Sequence, residues 1–324
     1  MRRVIYLFQS GAPSQHELWD YKPKLSEDYG KDLPKHVRDG QRITGMTSRQ
    51  KTLPLAPSKY KFTKHDNNDQ GLWVSELLPH TATVAKELCV TYSTFTEAIN
   101  HDPAITYIQT GSQVPGRPSL GAWLSYGLGS MNQNLPAFVV LHSTVNGGFG
   151  GQALYARLWG AGFLSTRHQG VSLRSTGDPV LYLSNPDGMS PGMRRRMLDK
   201  LAQLNRERYA EVGDPEIATR IAQYELAYRM QTDAREAFDI AGEKPETRAK
   251  YGNNGQGRQM LIARRLLERG VRFIQVRQGG WDLHGGIAQR AKRNADQLDP
   301  AIGAIVDDLK ERGMFKDTLI YITS

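Results

Sequence analysis

Short, continuous apolar runs alternate with longer amphipathic segments along the chain. Three such runs are typical of strands that helices cover on both faces: residues 4–9, 138–141 and 271–276. The segments 260–267 and 298–309 carry apolar residues at helical spacing, and each is followed by a glycine and then by an apolar run. This order predicts right-handed crossover units of a parallel sheet, with a last buried strand at 318–324.

The other long segments are more polar. Residues 21–69 are rich in lysine, proline, aspartate and glycine, which predicts an irregular excursion that serves as a lid or surface arm. Residues 188–242 are highly charged and predict helices. We therefore expect an α/β fold in one domain over residues 1–324, with a helical lobe inserted at about 188–245.

Two further segments have patterns that are less regular. Residues 72–88 predict a helix interrupted near Pro79, and a strand is predicted around 90–95. Residues 118–128 predict a helix. Its inward-facing side chains are expected to be Leu120, Trp123, Leu124 and Leu128.

Composition narrows the chemistry. Cys89 is the single cysteine, which excludes an intramolecular disulfide and a thiolate zinc cluster, so a metal would need imidazole, carboxylate or hydroxyl ligands. The net charge of +9 suggests nucleic acid at first, but six basic residues between 193 and 208 share an amphipathic helix with Met193, Met197, Leu201 and Leu204. This pattern favours a solvated helix face over a phosphate-binding patch. The N-terminal apolar run is too short for a leader or a membrane span.

One loop carries an aspartate and a histidine directly after a predicted strand. Asp282 and His284 lie in the glycine-flanked segment 279–286, where an open α/β sheet places polar ligands. Carboxylate and imidazole are common ligands of divalent metals. The alternative is that Asp282 caps the following segment and His284 packs in the turn.

Two further clusters contain candidate catalytic groups. Ser10 and Ser14 follow the first strand and can supply a hydroxyl nucleophile, or bind an oxyanion through the backbone N–H groups of their loop, whereas such serines more often close a turn. In the second cluster, Asp102 can orient the imidazole of His101, but a capping role for Asp102 is the competing interpretation. The other six histidines are expected to be structural or exposed.

Several segments together resemble the DUF1501 family, a bacterial group placed within the alkaline phosphatase and sulfatase superfamily. They include RVIYLF running into SGAPS at 3–14, LWDYKP at 18–23, GLWVSEL at 71–77, AINHDPA at 98–104, PGRPS at 115–119, NQNLP at 132–136, RFIQV at 272–276 and GWDLH at 280–284. The resemblance implies a three-layer alkaline phosphatase-like fold with a largely parallel sheet. It also implies divalent metals at the carboxyl ends of the strands, a nucleophile at a helix start and a periplasmic or exported location.

The resemblance places specific residues in that scheme. Counted back from Thr110 and Gly111, the sulfatase pattern Cys-x-Pro-x-Arg…Thr-Gly places its nucleophile at His101, with Ile105 where the arginine stands. His101 is therefore expected within direct or one-water reach of Asp282. Ser10 stands near the usual position of a metal-binding aspartate. The strand at 318–324 resembles one that runs into a ligand loop, so we expect the reading frame to continue past Ser324 with an acidic residue.

The resulting expectation is a metal-dependent hydrolase of sulfate or phosphate esters, with sulfated polysaccharides among its substrates. The expected catalytic residues are His101, Ser10 and Asp102, the substrate-binding residues Gly11, Ser14 and Thr110, and the metal ligands Asp282 and His284. The expected cofactor is a divalent metal ion, and the sequence does not distinguish among zinc, calcium, magnesium and manganese. The alternative is a binding or structural protein of the same superfamily that has lost catalysis.

Overall fold

Five parallel strands form the central sheet of the computed structural model, which describes residues 2–40, 44–143, 156–173, 185–233 and 235–324. The strands, with a separate antiparallel pair β2 and β3, are β1 (Arg3–Gln9), β2 (Phe62–His65), β3 (Leu72–Ser75), β4 (Phe138–Ser143), β5 (Val171–Leu173), β6 (Phe273–Gln278) and β7 (Thr318–Thr323). The sheet order is β5-β4-β6-β1-β7. All carboxyl ends of these five strands therefore meet at one edge of the sheet.

Twelve α-helices lie in the described part of the chain. They are α1 (Gln15–Leu18), α2 (Lys24–Glu27), α3 (Lys35–Arg38), α4 (Pro79–Thr83), α5 (His101–Thr110), α6 (Leu120–Leu128), α7 (Pro191–Val212), α8 (Pro215–Asp233), α9 (Arg235–Phe238), α10 (Pro245–Tyr251), α11 (Gly255–Glu268) and α12 (Ile287–Glu311). A short 3₁₀ turn at Ala156–Trp159 lies beside α5. None of the described helices combines the length and apolar character that a membrane crossing needs.

The sheet buries both faces. Alternate side chains of a strand point to opposite sides, so Ile5 and Leu7 pack in a core with α11 and α12, while Tyr6 and Phe8 pack on the other side. Ile105 of α5 belongs to this second cluster. Helices on both faces explain why the strand sequences are continuously apolar.

The predicted strands at 4–9, 138–141 and 271–276 are confirmed within two residues. The helices predicted from the patterns at 260–267 and 298–309 are also present, but they begin earlier, at Gly255 and Ile287. β7 is present, but it is an edge strand with mixed burial, whereas a buried strand was predicted. The helix predicted at 72–88 is wrong in its first part, because Leu72–Ser75 pairs with β2, and residues 90–95 form no strand.

The predicted orientation of α6 is right for Leu124, which packs against the second cluster, and wrong for the other three residues. Leu120, Trp123 and Leu128 are exposed, whereas the small residues Gly121 and Ala122 face the sheet. A methyl group at Gly121 would lie 2.5 Å from the Phe138 ring, so the helix packs closely only through its small residues. In this helix the size of a side chain, and not its hydrophobicity, decides whether it fits between the helix and the sheet.

The segment 188–242 is predominantly helical, as predicted. In it, α7 and α8 pack against each other, and Arg195 of α7 pairs with Glu225 of α8. The apolar residues Met193 and Leu204 of α7 are exposed in this arrangement.

Candidate active site

Two loops meet at the carboxyl edge of the sheet. One follows β1 and the other follows β6, and these strands are direct neighbours. The Ser10 amide donates to the Gln278 carbonyl at 2.8 Å, and the Trp281 amide donates to the Ser10 carbonyl at 3.2 Å. These bonds continue the strand pairing into the loops and bring Asp282 beside the end of β1.

Gly11 is required for this close approach. Its φ is +114°, a conformation that side chains with a Cβ rarely adopt. A Cβ at position 11 would also overlap with the backbone nitrogen of Asp282. The glycine predicted as a substrate-binding residue therefore has a demonstrable positioning role next to Asp282, and its substrate contact stays a prediction.

A buried polar network holds the Asp282 loop. The Trp281 indole donates to Gln278 at 3.0 Å, and Gln278 in turn donates to the Asn294 carbonyl at 3.2 Å. The Asn294 amide returns a bond to the Gly280 carbonyl at 2.7 Å. Because Trp281, Gln278 and Asn294 are buried, the loop is fixed to α12 before any ligand arrives.

His101, Asp282 and His284 are brought together. The Nε2 atom of His101 lies 3.4 Å from Oδ2 of Asp282, and Nε2 of His284 lies 2.8 Å from Oδ1 of the same carboxylate. The side chains are 43%, 29% and 59% exposed respectively, so the group is open to solvent. The carboxylate can orient both imidazole rings, and it can stabilise the positive charge of an imidazole that has taken up a proton.

The start of α5 adds to the electrostatics of this group. Asn100 precedes the helix without a side-chain cap, and Pro103 in the first turn has no N–H. His101 is the first residue of α5 and stands at the positive end of its dipole, where an anionic ligand is favoured.

A comparison with models of known families identifies the family of this chain. The family model described as "Protein of unknown function (DUF1501)" matches residues 1–324. The chain belongs to the DUF1501 family. Neither a curated protein nor a solved structure matches it. What the DUF1501 site can do therefore rests on its own geometry.

The remaining predicted residues of this DUF1501 chain lie at different distances from Asp282. Ser10 is buried in the loop junction, and Ser14 lines a small cavity of about 60 Å³ together with Trp281. Asp102 forms an ion pair with Arg157 of the 3₁₀ turn. Thr110 is not brought to the site, because it ends α5 about 13 Å from His101. Its hydroxyl donates to the carbonyl of the preceding turn.

The donor types of the DUF1501 site suit a divalent metal, since two imidazoles and a carboxylate are typical ligands of zinc or manganese. Within the described ranges, however, no group of three or more histidine, cysteine, aspartate or glutamate side chains is arranged to hold a metal ion. The two imidazoles instead contact the carboxylate itself. Asp282, His284 and His101 thus match a metal in chemistry and do not form a complete ligand set.

Two polar residues of the DUF1501 sheet escaped sequence reasoning. Arg277 of β6 and His142 of β4 stand in register with Phe8 and are almost fully buried. Burial and the nearby Arg277 charge lower the pKa of His142 to about 4, and burial lowers the pKa of Arg277 to about 10. The available signal was a charged residue next to the end of an otherwise buried strand.

Proposed function

We propose that this DUF1501 protein is a metal-dependent hydrolase of sulfate or phosphate esters, including those of polysaccharides, with an alkaline phosphatase-like fold. The observation that supports it is the convergence of His101, Asp282 and His284 at the carboxyl edge of a parallel sheet. Open α/β sheets bind their ligands at this edge. The proposal includes membership of the superfamily, three layers and an exported or periplasmic location.

His101 is the proposed proton acceptor. Water attacks the sulfur or phosphorus, its proton passes to Nδ1 of the imidazole, the nitrogen that does not face Asp282, and the bond to the ester oxygen breaks. The proton then goes to the departing alcohol oxygen. Asp282, whose Oδ2 lies 3.4 Å from Nε2, orients the ring and stabilises the imidazolium. In the alternative scheme the same imidazole attacks the sulfur or phosphorus directly and displaces the alcohol, and water then releases the covalent intermediate.

Asp282 and His284 are the proposed metal ligands, and zinc, calcium, magnesium and manganese are all candidates. In the alternative arrangement His101 is a third ligand and does not accept the proton. An ion held by these residues would supply Lewis-acid chemistry at the ester oxygen and would make a bound water more acidic. Ser10, Gly11 and Ser14 lie on the loop after β1, and the backbone N–H groups of Gly11 and Ser14 are the proposed donors to the developing anion, since the Ser10 N–H is bonded to the Gln278 carbonyl. Asp102 and Thr110 have no step in this scheme.

The test uses aryl sulfate and aryl phosphate esters with each of the four metals. Compared with the wild type, His101→Gln and Asp282→Asn should lower kcat/KM by about 100-fold or more. The matched control is His36→Gln, because His36 is exposed on α3 and outside the site. Circular dichroism checks that the variants fold. Equal activity of His101→Gln and wild type would remove His101 from the mechanism.

The second candidate is a non-catalytic binding or structural protein. It is favoured by the incomplete set of metal ligands in the described residues. Elemental analysis distinguishes the two candidates. If the protein is the hydrolase, the wild type contains a divalent metal and the Asp282→Ala and His284→Ala variants contain much less of it. A wild-type protein that binds none of the four metals and hydrolyses no ester supports the second.

A further inference from the structure

Among the described residues, the buried cation Arg277 has no counter-ion. Its side chain is only 2% exposed, and none of its three guanidinium nitrogens has a hydrogen-bond partner in the described ranges. The Phe8 and Trp159 rings lie 5.1 and 5.6 Å from the guanidinium carbon. Cation–π contacts of this kind offset only a small part of the cost of burying the charge.

The same protein shows how it pairs a buried arginine. Arg264 of α11 is also 2% exposed, yet its guanidinium contacts Glu243 at 2.6 Å, Glu268 at 2.9 Å and Asp308 at 3.1 Å. The two arginines are thus equally buried, but only Arg264 has carboxylate partners among the described residues. Because an unpaired buried charge costs several kcal/mol, its retention on β6 points to a ligand that supplies the missing negative charge.

Arg277 lies on the side of the sheet that α5 covers. Gln275, two residues earlier on β6, donates to Gln109 of α5 at 3.0 Å. From that contact His101 is about 12 Å further along the helix and Arg277 about 7 Å further along the strand, both toward the carboxyl edge. The backbone of Arg277 therefore stands about 5 Å below the level of His101.

The neighbours of Arg277 differ in how readily they move. Phe8 and His142 belong to the adjacent strands and are fixed by the ladder on both sides. Trp159, by contrast, is only half-buried and ends a short 3₁₀ turn. Of the two rings beside the guanidinium, Phe8 lies within the sheet and Trp159 lies outside it.

We infer that Arg277 is the anion receptor of this site and binds the tetrahedral sulfuryl or phosphoryl group of the ester after the Trp159 ring moves aside. The planar guanidinium matches two oxygens of such a group with parallel hydrogen bonds. This inference rests on the proposed function for the class of substrate. The binding of the anion itself requires neither metal nor turnover.

The experiment measures thermal unfolding of the metal-free protein in sodium sulfate or sodium phosphate, against sodium chloride at equal ionic strength. Wild type should gain Tm in a saturable way with at least one of the two oxyanions, as expected for a ligand that binds the native state. Arg277→Met should lose this gain and, because it removes an unpaired charge, unfold in chloride at or above the wild-type temperature. Arg264→Met, which strands three carboxylates, should unfold at a lower temperature and keep the gain.

Two further variants keep the test decisive if Arg277→Met does not fold. Arg277→Lys retains the charge without the planar fork and should weaken the apparent anion affinity at least tenfold, while Trp159→Ala should strengthen it. A wild type without saturable gain in either oxyanion, or an equal gain in Arg277→Met or Arg277→Lys, overturns the inference. A protein that binds oxyanion through Arg277 and hydrolyses no ester would reject only the proposed function.

Discussion

His142 should make the stability of the fold depend on pH between 4 and 6.5. It lies in β4, its Nε2 is 2.9 Å from the Ser172 hydroxyl, and its ring contacts Trp159. Burial, and then the charge of Arg277, lower its pKa from 6.5 to about 4. The native protein thus keeps this imidazole neutral at a pH where the unfolded chain protonates it.

The sign and size follow from linkage. Between pH 6.5 and 4 the unfolded state binds a proton that the native state does not, so the contribution is complete above pH 6.5 and is lost as the pH falls toward 4. At about 1.4 kcal/mol for each tenfold change in proton affinity, the loss is at most about 3 kcal/mol. That is a large part of the 5 to 15 kcal/mol by which domains are typically stable.

The assay is urea unfolding of wild type and His142→Gln from pH 4 to 8. Carboxylates titrate in both proteins, so their contribution cancels in the difference between the two curves. We expect wild type to lose up to about 3 kcal/mol more than the variant between pH 6.5 and 4. His36→Gln, altered at an exposed histidine, should follow wild type. Parallel curves for wild type and His142→Gln over this range would refute the reasoning.

Two other substitutions test contacts that position the site and its support. Gly11→Ala should lower the free energy of unfolding by at least about 2 kcal/mol and displace Asp282, because the new Cβ overlaps with the Asp282 backbone. The control is Gly30→Ala, which is also at positive φ but lies in open space. In the same denaturant titration it should lower the free energy of unfolding by less than half as much. Asp299→Ala should cost about 2 to 4 kcal/mol, since this buried carboxylate accepts two backbone N–H bonds from the first turn of α4 at 2.8 and 2.7 Å. Asp307→Ala, on an exposed position of the same helix, should stay within about 0.5 kcal/mol of wild type, and a similar loss in both variants would contradict the capping role.

The sequence alone determined the elements whose burial has a simple period. β1, β4 and β6 each contain a short run that is mainly apolar, and α11 and α12 repeat apolar residues at helical spacing, so the local pattern was enough to predict them. It also placed Asp282 and His284 after a strand, and parallel strands carry such loops to one edge. The proximity of His101 to Asp282 matches the expectation taken from the family resemblance.

Only the tertiary structure decided which side chains became partners. Asp102 contacts Arg157 and not His101, and the small face of α6 packs on the sheet because Gly121 must fit against Phe138. The spacing of apolar residues predicts which face of a helix or strand is buried. It does not predict how closely the neighbouring element approaches or which charges that element carries. The contrast between the paired Arg264 and Arg277, which has no counter-ion in the described residues, depends on carboxylates distant in sequence, and such long-range contacts leave no local pattern.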